Sequence, residues 1–557
     1  LWVVVVVLMQ TARSPVATPE QSVGSIIPAD TPAVVAEERS VREFGIPTLS
    51  RTVVVQRDAG GLSRADQLAA VERAVDVAGG GLREQFPRLR LALPVINERS
   101  ILPVSREDET TIVTYLFFDA GAGWNDRRNA ALEYSATLPG DDPSGLGVTG
   151  LIPARIVQDD AILGRLHLVE AATVAVIALI VGVAFRSLVA PLVTMAVGGV
   201  AYLTALKAVT WAGAELGFPT PPELRPLMVV LLLGIVTDYG VFLLSGTRYH
   251  LAGGAGRSRA ARAAVEEYGP VIIIAGIMVA AGAGVLVIAS TRIFRAFGPG
   301  MAFTVLVGLV VAVTLAPALL AVLGRFAFWP SPPRPWPGLG AAGADETPVR
   351  GTFLSRLLAR RPAAAAMVVL TVAALIAAAA PLRDASLGFD VIGGLPADAG
   401  PRTAAEAAAQ GFAAGILSPT EVVVRGPDVI REREALVRLQ RLIEGTPGVT
   451  GVLGPAQRPQ AVTEVRSTLR VDQALILAPG GDAARYLVVF DADPAGSAGI
   501  SRYDGLRARM PALLREAGLT DVQVSYAGDT AVAQQVIDRT LSDLIRIALA
   551  VVLVDFL

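Results

Sequence analysis

Apolar positions in this chain come in two patterns. In one they run almost unbroken for the length of a bilayer-spanning helix: about 168–185, 188–212, 224–246, 270–290 and 299–323, with a sixth, Ala-rich run at 363–382. A spanning helix needs about 20 predominantly apolar residues, so six complete spans are predicted. In the other, over 10–167 and 383–540, apolar residues are short punctuations of polar sequence. Val53–Val55 and Val422–Val424 read as strands, and Leu506, Met510, Leu513 and Leu514 fall at helical spacing on one buried face.

The two polar regions resemble each other. Pro28-Ala29-Asp30 matches Pro396-Ala397-Asp398, the Val53 and Val422 strands correspond, and each region closes on a Gly (Gly150, Gly528) followed by a polar helical stretch and a span. The first predicts strand RTVVVQRD, a helix from Ser63, strands LALPVIN and TIVTYLFFDA, a helix near 125–138 and strand GVTGL. The second predicts EVVVRG, a helix at 431–444, a run at 449–453, RYLVVFDAD, a helix at 501–517 and VQVSYAG. This βαββαβ order is the ferredoxin-like split βαβ, an α+β unit repeated about a pseudo-twofold. Fold alone names no function.

Charge orients the helices. Arg186 follows the first run, Arg248, Arg257, Arg259 and Arg262 follow the third, and Arg325, Arg334, Arg350, Arg356, Arg360 and Arg361 precede the sixth. The positive-inside rule makes these loops cytoplasmic and both polar regions extracytoplasmic, as Glu215 and Glu223 on the 213–223 loop also suggest. WPSPPRPWPGLG (329–340) reads as a Pro-rich linker, and Ser258 to Glu267 as an amphipathic connector at the inner surface.

The ends predict a fragment. LWVVVVVLMQ opens without Met and LIRIALAVVLVDFL closes short of a span, and half-inserted helices would leave backbone groups unsatisfied in lipid. A signal peptide cleaved near Gln10-Thr11-Ala12 would need a positively charged start, which is absent. The expected layout is a partial first span (1–9), an α+β domain (10–167), five spans (168–324) with connector 248–268, a Pro/Arg-rich linker (325–362), a span (363–382), a second α+β domain (383–540) and a partial eighth span (541–557).

Composition then removes chemistries. The 557 residues are 53% hydrophobic with mean hydropathy +0.54 and net charge −2, which suggests no nucleic-acid partner. There is no cysteine, and His167 and His250 lie far apart, so neither a thiolate metal site nor a zinc site is expected, and no cofactor. Lys207, the only lysine, lies in TALKAVT rather than a Gly-Lys-Ser/Thr phosphate loop, and reads as snorkelling to the interface. The nucleophile elbow G-x-S-x-G is missing as well, so no catalytic motif points to an enzyme.

Asp238 is the residue composition leaves standing. It sits mid-run in LRPLMVVLLLGIVTDYGVFLLSG (224–246), beside Tyr239. A carboxylate there costs roughly 2.5–3.5 kcal/mol on insertion scales, so it reads as a proton carrier; the plainer alternative is a hydrogen bond to a neighbouring helix. Gly276, Ala280 and Gly284 recur every fourth residue, a small-residue face for helix packing.

Gly234-Ile235-Val236-Thr237-Asp238-Tyr239, with Phe242-Leu243 and Arg248-Tyr249 following, resembles the fourth-helix signature of the MMPL (mycobacterial membrane protein large) branch of resistance–nodulation–division transporters. The order of spans and domains is similar to the first two-thirds of such a protein, with the α+β units as its porter domains. The resemblance implies proton-driven export of lipids or other hydrophobic molecules across the cytoplasmic membrane by a twelve-helix protein. Asp238 and Tyr239 match the family's first relay pair, with Gly234, Gly276, Ala280 and Gly284 as packing positions near it; the second pair belongs to a tenth helix outside this chain. Met278 stands where the family often has Thr. The partners implied are membrane lipids, a lipid-like substrate and protons; a homo-oligomer is allowed and not required. A non-transporting lipid sensor or scaffold on the same helices is the alternative, while the Sec accessory translocase usually lacks the Asp-Tyr pair.

Overall fold

The computed structural model describes residues 30–100, 102–119, 121–139, 145–218, 220, 224–331, 361–380, 388–456 and 475–556. The expected partial first span and nearly all of the linker lie outside them. In chain order the elements begin with α1 (Pro32–Phe44), β1 (Val53–Arg57), α2 (Arg64–Gly79), β2 (Leu89–Ile96), β3 (Thr111–Phe118), α3 (Trp124–Ala136) and β4 (Leu146–Thr149). Long helices follow: α4 (Leu151–Phe185), α5 (Val189–Leu216), α6 (Leu224–Ala252), α7 (Arg257–Gly284), α8 (Arg292–Leu323) and α9 (Arg361–Ala379). Then come α10 (Gly400–Gly411), β5 (Thr420–Arg425), α11 (Arg433–Glu444), β6 (Val449–Leu453), β7 (Ala483–Phe490), α12 (Ser497–Ala517), β8 (Gln523–Ala527) and α13 (Asp529–Phe556).

Contacts divide the chain into two compact units. Among the described residues, one comprises those up to Gly164 and from 388 to Asp538, the other those from Arg165 to 380 and from Arg539 on. The two polar regions, expected as separate domains, thus condense into one unit.

That unit holds two four-stranded antiparallel sheets, ordered β2-β3-β1-β4 and β6-β7-β5-β8. In the first, Val54 of β1 stands between Thr114 and Val148; in the second, Val423 of β5 stands between Arg485 and Ser525. Local sequence accounts for the ends of elements. Ser63 caps α2 by a reciprocal bond with Asp66, satisfying donors that the first turn leaves open. Gly150 and Gly528 have φ of +109° and +108°, and a Cβ on them would lie 2.6 Å from the Arg51 carbonyl oxygen and 2.9 Å from that of Pro419. Only glycine turns from the last strand into the long helix that close to another backbone.

What joins the halves is an exchange of helices. The helix α1 packs on β8 of the second sheet, and α10 on β4 and β1 of the first. Ala404, Ala405 and Ala408 of α10 enter the core made by Val53, Val55, Val113 and Phe117. A Cβ on Gly147 would come 2.6 Å from that of Ala404, so β4 presents a glycine where the helix lies closest. On the other side Ala33 joins the core of Val422, Val424, Tyr486 and Phe490.

Polar groups fix both contacts. Glu421 and Arg485, wholly buried, pair at 3.3 Å; Ser40 and Thr48 donate hydroxyls to Glu421, and the Arg485 guanidinium lies 4.0 Å from the Phe44 ring centroid. Burial pushes Arg485 below its ordinary pKa, against the pull of Glu421 and Glu43. Removing one member would strand the other's charge, a loss of about 3–5 kcal/mol in buried pairs. At the α10 end Arg57 pairs with Glu107 at 2.6 Å and donates to Gln410, while Arg106 donates from its backbone to the Gly411 carbonyl.

In the helical unit, six helices among the described residues are long and apolar enough to cross a membrane: Leu168–Phe185, Val189–Leu216, Leu224–Ala252, Arg257–Ile288, Phe294–Phe328 and Pro362–Ala379. The helices α6 and α8 pack on each other, and each also packs on α5 and α7. Glycines set the spacing. A Cβ on Gly308 would sit 2.6 Å from Leu232, one on Gly300 2.5 Å from Leu224, and one on Gly246 2.7 Å from the Tyr268 ring.

Two expectations change. The stretch 248–268 is not a separate connector: α6 runs to Ala252, a short turn follows, and Arg257 starts a helix that passes through Pro270 into the span. Ala260, Ala261 and Ala264 are buried, so this segment packs as the first turns of α7. The fifth run, expected at 299–323, belongs to a helix that opens earlier, at Arg292, with Gly298 and Gly300 serving as contact notches. The expected partial eighth span, 541–557, is the last part of α13, which also carries Arg539, Asp543 and Arg546.

Candidate functional site

Asp238 lies halfway along α6 and is exposed at the surface of the bundle. Gly234 and Phe242, one turn before and after it, are exposed too, so the three mark one stripe on the outer surface of α6. No side chain or backbone group among the described residues hydrogen-bonds or ion-pairs with its carboxylate. A Cβ on Gly234 would meet nothing within 4 Å, which leaves the stripe a shallow trough beside the acid. Phe242 stacks on Tyr268 of α7, with centroids 5.9 Å apart.

Tyr239 points elsewhere. Successive helical residues are turned by about 100°, and this turn carries its ring into the core, 6% exposed, among the buried residues of the bundle. The structure therefore places Asp238 and Gly234 together and Tyr239 on another face. The Gly276, Ala280 and Gly284 row is turned toward α8. A Cβ on Gly276 would lie 2.7 Å from Leu309, that on Gly284 3.9 Å from Ala302, and Ala280 is buried between them. This row closes the α7–α8 hairpin, away from the Asp238 stripe.

A second acid was not foreseen. On α13, beyond Gln534, Asp543 is the one buried residue among those described, whereas Leu541, Leu544, Ile545 and Leu549 are exposed. Its carboxylate accepts the Ser290 N–H at 2.8 Å, the Ser290 hydroxyl at 2.8 Å and the Thr291 N–H at 2.6 Å. Thr291 is the N-cap of α8 and makes no side-chain cap of its own. The Asp543 carboxylate supplies it, satisfying open donors at the positive end of the helix dipole. The sequence offered half the signal: Ser290-Thr291 before a helix is a capping pair, and Asp543 interrupts LSDLIRIALAVV.

Six apolar helices and two antiparallel sheets, with an isolated mid-helix carboxylate, define a polytopic membrane protein with porter-like domains. The family model described as the MMPL family matches residues 25–364, and the chain belongs to that family. It is 28% identical to the membrane protein ActII-3 of Streptomyces coelicolor over 80% of this chain and 62% of that protein. It is 25% identical to the apo-petrobactin exporter of Bacillus anthracis over 76% of this chain and 59% of that protein. With Probable transport protein MmpL8 of Mycobacterium bovis it shares 27% identity over 82% of this chain and 42% of that protein. The chain thus spans about half the length of these relatives.

Proposed function

We propose that this chain is part of a secondary transporter that uses the proton-motive force to export lipids or other hydrophobic small molecules across the cytoplasmic membrane. Asp238 carries the reading. An exposed carboxylate halfway along an apolar helix is costly in lipid, and that cost falls when it binds a proton or meets a polar partner. An unpartnered acid beside the trough at Gly234 suits a group that exchanges protons where a further helix packs against the stripe. The names of two relatives, an exporter and a transport protein, support movement of a substrate rather than catalysis.

In this reading Asp238 is the proton carrier and Tyr239 its companion, acting from the packed side of the same helix. Gly234 leaves room at the acid, and Gly276, Ala280 and Gly284 keep α7 and α8 rigid behind it. The α+β halves are two copies of a ferredoxin-like porter domain, a view supported by their identical strand order and by matching irregularities at Leu89/Leu91 and Val449/Gly451. Both lie outside the cell, the arginine-rich turns inside.

The test is Asp238→Asn in the protein reconstituted into proteoliposomes carrying a pH gradient. Asparagine nearly preserves shape and hydrogen bonding but does not titrate, so gradient-driven export should stop while membrane assembly persists. Tyr239→Phe separately tests the hydroxyl and should slow export. Undiminished export by Asp238→Asn would return Asp238 to a structural role.

A further inference from the structure

Five arginines converge at one end of the helical unit. The segments 185–189, 248–259 and 324–330 contain Arg186, Arg248, Arg257, Arg259 and Arg325 and no Asp or Glu, while His250 among them pairs with Glu267 of α7 at 3.2 Å. The fold knits them together. Arg248 donates to the Phe185 carbonyl at 3.0 Å and lies 5.7 Å over the Phe328 ring. The Leu188 N–H donates to the Trp329 carbonyl at 3.0 Å, and the Ser187 hydroxyl to that of Ala327 at 2.9 Å. Arg257 donates to the Val322 carbonyl, and its Cβ lies against Gly324.

Within this frame the groups divide by role. Arg248 and Arg257 are tied to backbone carbonyls. Arg186, Arg259 and Arg325 are exposed and pair with no carboxylate among the described residues. Arg186 is held at φ +49°, a left-handed conformation that glycine adopts more cheaply, yet a long cation stands there. Beside them Leu188, Phe326 and Trp329 are 64%, 58% and 53% exposed. Unpaired cations interleaved with exposed aromatic and aliphatic side chains, at the ends of α4, α6 and α8, match a bilayer interface: anionic headgroups above, acyl chains below.

We infer that this surface is a docking site for anionic phospholipid, with Arg186, Arg259 and Arg325 holding the phosphate-bearing headgroup and Leu188, Phe326 and Trp329 seated in the acyl region. Charge decides the occupant. The chain's own segment 332–360 carries Arg334, Arg350, Arg356 and Arg360 against Asp345 and Glu346, so it is itself cationic and a poor complement. A zwitterionic lipid would satisfy the apolar rim but leave the three guanidiniums without a net counter-charge. The patch lies on faces that the proton site does not use, so this inference stands apart from the transport reading.

The experiment measures lipid retained by the detergent-solubilised full chain after gel filtration from mixed micelles of equimolar phosphatidylglycerol and phosphatidylcholine. An arginine at an anionic surface is worth about fivefold in partitioning, so wild type should retain phosphatidylglycerol preferentially, and high salt should abolish the preference. The triple variant Arg186→Gln, Arg259→Gln, Arg325→Gln should lose the preference by about tenfold or more at unchanged helix content and elution volume. The control Arg64→Gln, Arg83→Gln, Arg433→Gln, exposed arginines of the other unit, should keep it. If the triple variant fails to fold, Arg186→Gln and Arg325→Gln singly should each reduce the preference several-fold. Equal retention of both lipids by wild type overturns the site, as does equal loss in the control. Displacement of phosphatidylglycerol by free glycerol phosphate would assign a soluble phosphate site and overturn docking to the bilayer.

Discussion

The carboxylate of Asp543 accepts the backbone N–H of Thr291 at 2.6 Å, so a residue 252 positions away caps α8. A polar side chain, and not the leucines around it, anchors this part of α13 to the helical unit. Asp543→Ala would leave the Ser290 and Thr291 N–H groups open, and hydrogen bonds to a charged group are worth about 1.5–3 kcal/mol. Hydrogen exchange at Ser290 and Thr291 should accelerate markedly in that variant and less in Asp543→Asn, which keeps one acceptor oxygen. Unchanged protection in Asp543→Ala would mean that water caps the helix equally well.

The α7–α8 contact tolerates no added volume at Gly276. Gly276→Ala places a methyl about where Leu309 already lies, and overpacking of this kind costs about 1–3 kcal/mol. Combining it with Leu309→Ala should recover part of the loss. Gly234→Ala, in open space, should be neutral or stabilising by up to about 1 kcal/mol through helix propensity. Thermal unfolding in detergent checks all three, and equal behaviour of the two glycines would contradict the packing described.

Two carboxylates of the α+β unit titrate in opposite directions. The Arg57 guanidinium, with help from the Thr110 hydroxyl, holds Glu107 below its ordinary pKa. Its contribution is therefore present above the unfolded value of about 4.3 and is lost as pH falls through the folded value. Because the pair is partly exposed, the effect is within about 1 kcal/mol, a few degrees in melting temperature. Burial, and then nearby Asp390, raises Asp493, whose contribution is present at low pH and lost as pH rises through its folded value. Glu107→Gln should flatten the acid limb of a stability profile, and Asp493→Asn should steepen it. Parallel shifts in both variants would show that neither pair acts as described.

The orientation proposed from arginine placement has a direct check, since the chain has no cysteine of its own. Cysteines at exposed Ala59 and half-buried Ala495 should react with an impermeant maleimide in intact cells. Reaction only after lysis would invert the topology.

Sequence by itself determined the local and the one-dimensional. Apolar runs of bilayer length marked all six long apolar helices, though not where the fourth begins, because a backbone without water in lipid must satisfy its own hydrogen bonds and a helix does so within one segment. Local pattern located the apolar run that forms the strand at 449–453 and the helix that starts after Ser63, because both are short-range effects. Asp238 was legible because an acid amid leucines is chemically conspicuous wherever its neighbours lie. Tertiary structure alone decided which faces met. The exchange of α1 and α10 between sheets, the burial of Glu421 against Arg485, the inward turn of Tyr239 and the cap that Asp543 lends to Thr291 join residues far apart in the chain. No local pattern encodes such pairings, because their energy comes from complementary shape and charge that exist only once distant surfaces touch.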